Sequence, residues 1–243
     1  VQLERLYIGT AGWNIPRAHA EHFVPEGSHL VRYARKLNCA EINTCFYREH
    51  KPETYRKWAE GVPAGFRFAV KAPRAITHEG ELRAQGRETL QRFFQQTAAL
   101  GEKRGPVLLQ SPPKLAFDKA VARSFFSMFR ELYDGPAVFE PRHVSWFGAE
   151  ADSMLREFQV ARVAADPALA ASAGQPAGWP GLVYFRLHGS PRRYYSAYSE
   201  KYLTALAANL RHLSTSATTW CIFDNTASGA ALANALELIV LGR

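Results

Sequence analysis

Eight short apolar runs, most of them followed by a stretch of helical periodicity, limit this chain's fold more than any other feature. The runs are Leu6–Ala11, Cys39–Asn43, Arg67–Lys71, Pro106–Gln110, Ala137–Arg142, Ala161–Asp166, Leu182–His188 and Thr219–Asp224. Between them, Val121, Phe125, Met128, Phe129 and Leu132 fall on one helical face behind Asp118, a residue suited to cap it. Leu90, Phe93, Phe94, Thr97 and Leu100 repeat the pattern, as do Leu203, Leu206, Leu210 and Leu213 behind Ser199. Leu232, Leu236 and Ile239 mark a last helix, with Ser228 as its expected cap. Weaker helical patterns lie near 29–37, 52–59 and 151–158. The sixth link, rich in Ala, Gly and Pro, shows no helix and reads as a long loop. Strands alternating with helices over 243 residues predict an α/β fold: one parallel, eight-stranded (β/α)8 TIM barrel spanning 1–243. A doubly wound open sheet is the alternative. Its dinucleotide-binding form is disfavoured, because the first strand runs into Gly9-Thr10-Ala11-Gly12-Trp13 and no G-x-G-x-x-G follows.

Composition narrows the class. With 47% hydrophobic and 12% aromatic residues the chain is built to bury a core. No stretch of 18 apolar residues occurs, so no membrane-spanning helix is expected. Val1 to Arg5 carry no basic segment leading into a long apolar one, so no secretory leader and a cytoplasmic location are expected. Cys39, Cys45 and Cys221 lack metal-ligand spacing and fit a reducing compartment. Lys and Arg outnumber Asp and Glu, 30 to 22, a formal +8 that favours anionic partners. The basic residues are scattered; Arg192-Arg193 is among the tighter groups.

The strands begin apolar and end polar. Their ends read Glu41-Ile42-Asn43, Val70-Lys71, Leu109-Gln110, Glu140-Pro141-Arg142, Ala165-Asp166, Arg186-Leu187-His188 and Asp224-Asn225. Residues i and i+2 share a strand face, so Glu41 goes with Asn43, Glu140 with Arg142 and Arg186 with His188. If that face is the barrel interior, ionisable groups gather at the C-terminal mouth, where such barrels carry their active sites. A self-paired salt-bridge network that binds nothing is the competing reading, since buried charges must be paired in either case.

Several segments together resemble the YecE-like family (domain of unknown function 72). They are Gly9–Trp13, Glu41-Ile42-Asn43-Thr44-Cys45-Phe46-Tyr47, Phe68–Ala72, Thr77-His78, Gln110-Ser111-Pro112-Pro113, Phe139–Trp146 and Arg186-Leu187-His188-Gly189. The resemblance covers nearly the whole chain and implies a TIM barrel; it implies no particular activity. At strand eight, relatives look like Phe-Asn-Asn-Asp, whereas this chain has Phe223-Asp224-Asn225-Thr226. Asn225 carries over; an acidic role at 226 does not.

The polar ends suggest an enzyme working by acid–base chemistry on a small anionic substrate, phosphorylated or carboxylated. Glu140 is the first candidate proton carrier, with Glu41, His188 and Asp166 as further catalytic candidates. Lys71, Arg142 and Arg186 are expected to bind the anion, and Asn43, Tyr47, His78, Gln110, Asn225, Trp13 and Trp146 to complete the substrate pocket. The loops after strands seven and eight, with Arg192 and Ser228, offer a phosphate site of the kind seen in barrels. A depressed lysine pKa would let Lys71 form a Schiff base. No metal and no cofactor are expected, and the protein is expected to be a monomer. Two alternatives stay open. One is a nucleic-acid-binding or processing barrel, suggested by the charge and by Tyr47, Tyr194, Tyr195 and Tyr198 near the mouth. The other is a non-catalytic binder of small molecules.

Overall fold

A strand covered on both sides serves two cores, one with its odd residues and one with its even ones. The computed structural model of the protein describes residues 5–242. The reading of the leader rests partly on 1–4, which lie outside the described residues. The strands are β1 (Leu6–Ala11), β2 (Cys39–Ile42), β3 (Arg67–Lys71), β4 (Arg104–Gln110), β5 (Ala137–Glu140), β6 (Val160–Arg162), β7 (Ala164–Asp166), β8 (Ala177–Gly178), β9 (Leu182–Leu187) and β10 (Thr218–Phe223). The helices are α1 (His29–Tyr33), α2 (Pro52–Glu60), α3 (Arg87–Thr97), α4 (Lys119–Leu132), α5 (Ala149–Glu157), α6 (Glu200–Ser214) and α7 (Ala230–Leu241).

All strands join one sheet in the order β7-β9-β10-β1-β2-β3-β4-β5-β6-β8. Pairing is parallel except between β6 and the short β8. The sixth predicted run is split at Val163, with β6 on β5 and β7 on β9. These halves are consecutive in the chain, so the sheet comes round on itself as a TIM-barrel-like ring with the split strand as its seam. The sixth crossover has no α-helix, only a 3-10 turn at Ala171–Gly174 and then β8.

Four runs stop short of their predicted ends: β2 at Ile42, β5 at Glu140, β9 at Leu187 and β10 at Phe223. The backbone turns away there. Asn43 leads into a 3-10 turn, and Pro141 has no N–H to offer the ladder.

Two cores follow from strand parity. Between sheet and helices lies a large shell that includes Phe68, Val70, Leu109, Phe139, Phe185, Cys221 and Phe223. Inside the barrel lies a smaller one with Cys39, Ala69, Leu108, Val138, Ala161, Val163, Leu182, Tyr184, Trp220 and Ile222. Trp220 fills this interior, stacked on Tyr7 at 4.7 Å and facing Tyr184 at 6.1 Å between ring centroids. A Cβ at Gly105 would sit 2.7 Å from the Trp220 ring, which is why β4 carries glycine there. The interior is a packed core, not a pore.

Asp118 and Ser199 cap α4 and α6 as expected, accepting from Val121 N at 3.0 Å and Tyr202 N at 3.3 Å. Ser228 does not cap α7. The cap position is Gly229 at φ 80°, and the Ser228 hydroxyl instead donates to the Tyr195 carbonyl at 2.6 Å. The loops after β9 and β10 pack on each other, and Ser228 is used to tie them. All three cysteines are buried thiols.

Candidate functional site: a charged cluster at the barrel mouth

The inward face of each strand fixes what reaches the mouth. In the interior core Cys39, Ala69, Leu108, Val138, Tyr184 and Ile222 point inward. Two residues further along the same strands stand Glu41, Lys71, Gln110, Glu140, Arg186 and Asp224. Parity therefore sends all six into the same space. The strand register sets Glu41 between Ala11 and Ala69, two small neighbours that leave room for a large partner.

That partner is Arg186, 1% exposed and surrounded by three carboxylates. Its Nε and Nη2 donate to Glu41, the shortest contact being 2.7 Å. Nη1 reaches Glu140 Oε2 at 3.2 Å, and Nη2 also reaches Asp224 Oδ2 at 3.1 Å. Burial alone would lower the Arg186 pKa, but Asp224, Glu41 and Glu140 hold it well above the ordinary value. The Tyr184 hydroxyl donates to Glu41 Oε2 at 2.7 Å, and burial together with the Glu41 charge pushes its pKa far up. Glu41 is thus fixed by Arg186 and Tyr184 and is fully buried.

Glu140 joins this base to the rim. Oε2 accepts from Gln110 Nε2 at 2.8 Å, and Oε1 lies 2.8 Å from both Arg142 Nη2 and His188 Nε2. The other ring nitrogen of His188 lies 2.9 Å from Asp224 Oδ2. The result is a buried chain of carboxylate, imidazole and carboxylate. Burial would raise the Glu140 pKa, yet Arg142, Arg186 and His188 outweigh it and hold the carboxyl well below its usual range. Asp224 behaves alike: burial raises it, and Arg186 and His188 bring it below the ordinary value.

Lys71 differs from its neighbours. It is buried, with 8% exposure, and its ammonium donates to no described residue. It lies over the Phe46 ring, 4.1 Å from the centroid. Burial and the nearby Arg186 lower its pKa to about 8, against the opposing pull of Glu41, Glu140 and Asp224. His78 packs on the same Phe46 ring at 5.0 Å, with Nδ1 2.9 Å from the Thr77 hydroxyl. Burial and the charges of Lys71, Arg74 and Arg142 lower the His78 pKa, so its ring is neutral at neutral pH. Arg142 has a buried Nε with no partner, and Asn43 Oδ1 is likewise unpaired. A cleft of about 470 Å³ opens beside this cluster, lined in part by Trp13, Glu41, Asn43, Asp224 and Thr226. A groove of about 510 Å³ at the opposite end of the barrel, between Leu6, Leu37, Phe66 and Ile239, has no carboxylate or imidazole among its described walls.

Most of the expected site residues therefore meet. Glu41, Glu140, His188, Lys71, Gln110, Arg142 and Arg186 form one cluster, and Asn43, Trp13 and His78 border it. Tyr47 stands at the rim, 77% exposed, its ring edge-on to Phe46. Four expectations are corrected. Asp166 does not enter: Ala161 and Val163 take the inward face, so Asp166 points outward and accepts from the Tyr198 hydroxyl at 2.8 Å. Asn225 points outward as well, donating to Ser196 O and to Asn234 Oδ1 on α7. Trp146 is not pocket wall. It is 2% exposed, packs on Phe139 and Phe117, and donates its indole N–H to Leu115 O. Arg186 has its guanidinium taken up by three carboxylates, which leaves it unsuited to grip a substrate anion.

The expected phosphate loop is also filled from within. The amides of Ala227, Gly229 and Ala231 donate to Tyr194 O, Thr226 O and Asn225 O. The residue missed was Asp224. The two-residue period was the available signal, because Ile222 and Asp224 share a face that Asn225 does not. Among the described residues no group of three His, Cys, Asp or Glu side chains is disposed to hold a metal ion. No described helix is long and apolar enough to cross a membrane.

Known proteins share this architecture. A crystal structure of a DUF72 family protein from Enterococcus faecalis superposes with a TM-score of 0.81 at 22% identity, covering 98% of this chain and 95% of that one. One from Thermotoga maritima gives 0.78 at 24% identity, covering 97% and 98%. In sequence, UPF0759 protein YecE of Escherichia coli is 34% identical over 108 residues, 44% of this chain and 38% of that protein. UPF0759 protein YunF of Bacillus subtilis is 26% identical over 150 residues, 58% of this chain and 52% of that protein. The matched segments thus span about half or less of these curated relatives. The family described as "Protein of unknown function DUF72" matches residues 7–242, nearly all of the chain, and the protein belongs to that family.

Proposed function

We propose that the barrel mouth binds a small anionic substrate, phosphorylated or carboxylated, and works on it by acid–base chemistry. The observation that carries this reading is the pairing pattern. Glu41, Glu140 and Asp224 are all matched by Arg186, Arg142 and His188, whereas the Lys71 ammonium has no acidic partner within bonding distance. A largely buried cation with no direct ion pair is costly, and an anion bound at the mouth against Lys71 would supply one. Arg142, with its free Nε, and the neutral His78 flank the same place. Glu140 is saturated with donors and strongly acidic, so it serves as the orienting group of the Glu140–His188–Asp224 chain. Proton transfer falls to Lys71, whose pKa is brought down to about 8, with the His78 imidazole as the nearby base.

A thermal-shift screen of sugar phosphates, nucleotides and carboxylic acids at fixed ionic strength tests this. An anion at a hundred times its Kd should add about 2.7 kcal/mol, roughly 5–11 °C for a chain of this size. The gain should vanish in Arg142→Ala and Lys71→Met. Shifts that persist in both variants would overturn the assignment.

A second reading has its own support. Tyr47, Tyr194 and Tyr195 stand exposed near the mouth, and the Arg192 guanidinium lies 4.0 Å from the Tyr195 ring centroid. Aromatic faces next to arginine suit stacked nucleobases. Single-stranded oligonucleotides should then bind with a log Kd that rises linearly with log salt; binding that ignores salt removes this reading.

A further inference from the structure

We propose that Lys71 is a nucleophile that captures the carbonyl carbon of a small anionic aldehyde or ketone as a Schiff base. The inference rests on the reading of the mouth as a small-anion site and adds the substrate's reacting group. Its geometric basis is the placement of Lys71. The residue is the last of β3, on the inward face, at the level where the neighbouring strands turn polar. An ammonium meant only for structure would be paired with one of the three carboxylates nearby. All three are instead committed elsewhere: Glu41 to Arg186 and Tyr184, Glu140 to Arg142, Arg186, Gln110 and His188, and Asp224 to Arg186 and His188. Lys71 rests on an aromatic face that it can leave. Burial and the Arg186 charge, opposed by Glu41, Glu140 and Asp224, bring its pKa to about 8, so a usable fraction is neutral amine near pH 7.

The chemistry balances without a redox partner. The neutral Nζ lone pair attacks the carbonyl carbon, forming the C–N bond as the C=O π pair moves to oxygen, and the oxygen takes up a proton from solvent to give a carbinolamine. Its hydroxyl leaves as water once protonated, and the nitrogen lone pair closes the C=N bond. His78, whose lowered pKa favours the neutral ring and which packs on the Phe46 ring that also carries Lys71, is the base assigned to accept the proton released by nitrogen and return it to the departing hydroxyl. Arg142, with its unpartnered Nε, holds the anionic group of the substrate.

The test is reductive trapping. The full chain is incubated with pyruvate, glyoxylate or glycolaldehyde phosphate and sodium cyanoborohydride, then mapped by peptide mass spectrometry. The expected result is one dominant secondary-amine adduct on Lys71, ~tenfold or more above that on the exposed Lys114 and Lys119, with a rate that climbs as pH rises toward 8. Lys71→Arg keeps the charge and should lose the adduct. Should that variant fail to fold, the wild-type ratio of Lys71 to Lys114 modification still decides. If these anions stabilise the wild type in the thermal-shift assay but no probe labels Lys71 above the surface lysines, the Schiff base is overturned and the anion site stands. If neither stabilisation nor labelling is seen across both panels, the proposal and the reading beneath it both fall.

Discussion

The lower and upper halves of the barrel interior are built from the same strands and could hardly differ more. In the lower half Cys39, Ala69, Leu108, Val138, Tyr184 and Ile222 form one apolar cluster with Trp220. One inward step up, the same strands supply Glu41, Lys71, Gln110, Glu140, Arg186 and Asp224. The lower half gains from area removed from water, and any apolar set of the right volume would serve it. The upper half is held by specific pairings, because each buried charge must have its partner. The seam strand is the exception: its inward residues Ala161 and Val163 stay apolar. The ionisable groups therefore come from β2, β3, β5, β9 and the end of β10, with β5 and β9 on either side of the apolar seam, and Arg186 spans the mouth to reach both Glu41 and Glu140.

The largest effect should come from removing the hub of the upper half. Arg186→Leu strands three carboxylates at once and should cost about 5 kcal/mol in urea unfolding at pH 7, the upper end for a broken buried pair. A loss under about 1 kcal/mol would mean that water already screens the cluster. Leu108→Ala, one step below Gln110, should cost about 3 kcal/mol through a cavity while leaving anion binding at the mouth unchanged. Loss of binding in that variant would show that the halves are mechanically coupled.

Lys71→Met should do the opposite of both, stabilising the fold at pH 7 by about 1–3 kcal/mol while abolishing the anion response. Folded Lys71 binds its proton less tightly than the unfolded chain does. Stability of the wild type therefore rises relative to Lys71→Met between pH about 8 and the unfolded value near about 10.4. A gap between the two proteins that stays constant over this window would remove the depressed lysine. The carboxylates run the other way. Glu140 and Asp224 release protons more readily when folded, so their contribution is present above about pH 4.5 and is lost as pH falls through their lowered values. Acid titration of Glu140→Gln should show a shallower loss than the wild type. The smallest effect is expected outside the ring: Asp166→Asn keeps an acceptor for Tyr198 and should shift stability by about 1 kcal/mol or less, with the mouth's ligand response intact.

Those contrasts mark how far the residues alone could be read. Eight runs and their order were legible because apolar continuity and helical spacing are local properties. The polar strand ends were legible for the same reason, and with them Glu41, Lys71, Glu140, Arg186 and His188. Which neighbour of a polar pair enters the barrel was not. Asp224 and Asn225 are adjacent, as are Ala165 and Asp166, and a shift of one residue reverses every side chain on a strand. Parity is set by ladder pairing with strands distant in sequence, and by the break at Val163 that joins β6 to one neighbour and β7 to the other.

The alternating architecture, and the stock of ionisable groups carried to one end of the barrel, are thus written in the order of the residues. How those groups divide is set by the folded chain. It gave Arg186 three carboxylates, placed His188 between Glu140 and Asp224, turned Asp166 and Asn225 outward, and left Lys71 over Phe46. Pairing of buried charges depends on distances of a few ångströms between residues far apart in the chain, as with Glu41 and Arg186. No local pattern carries that information.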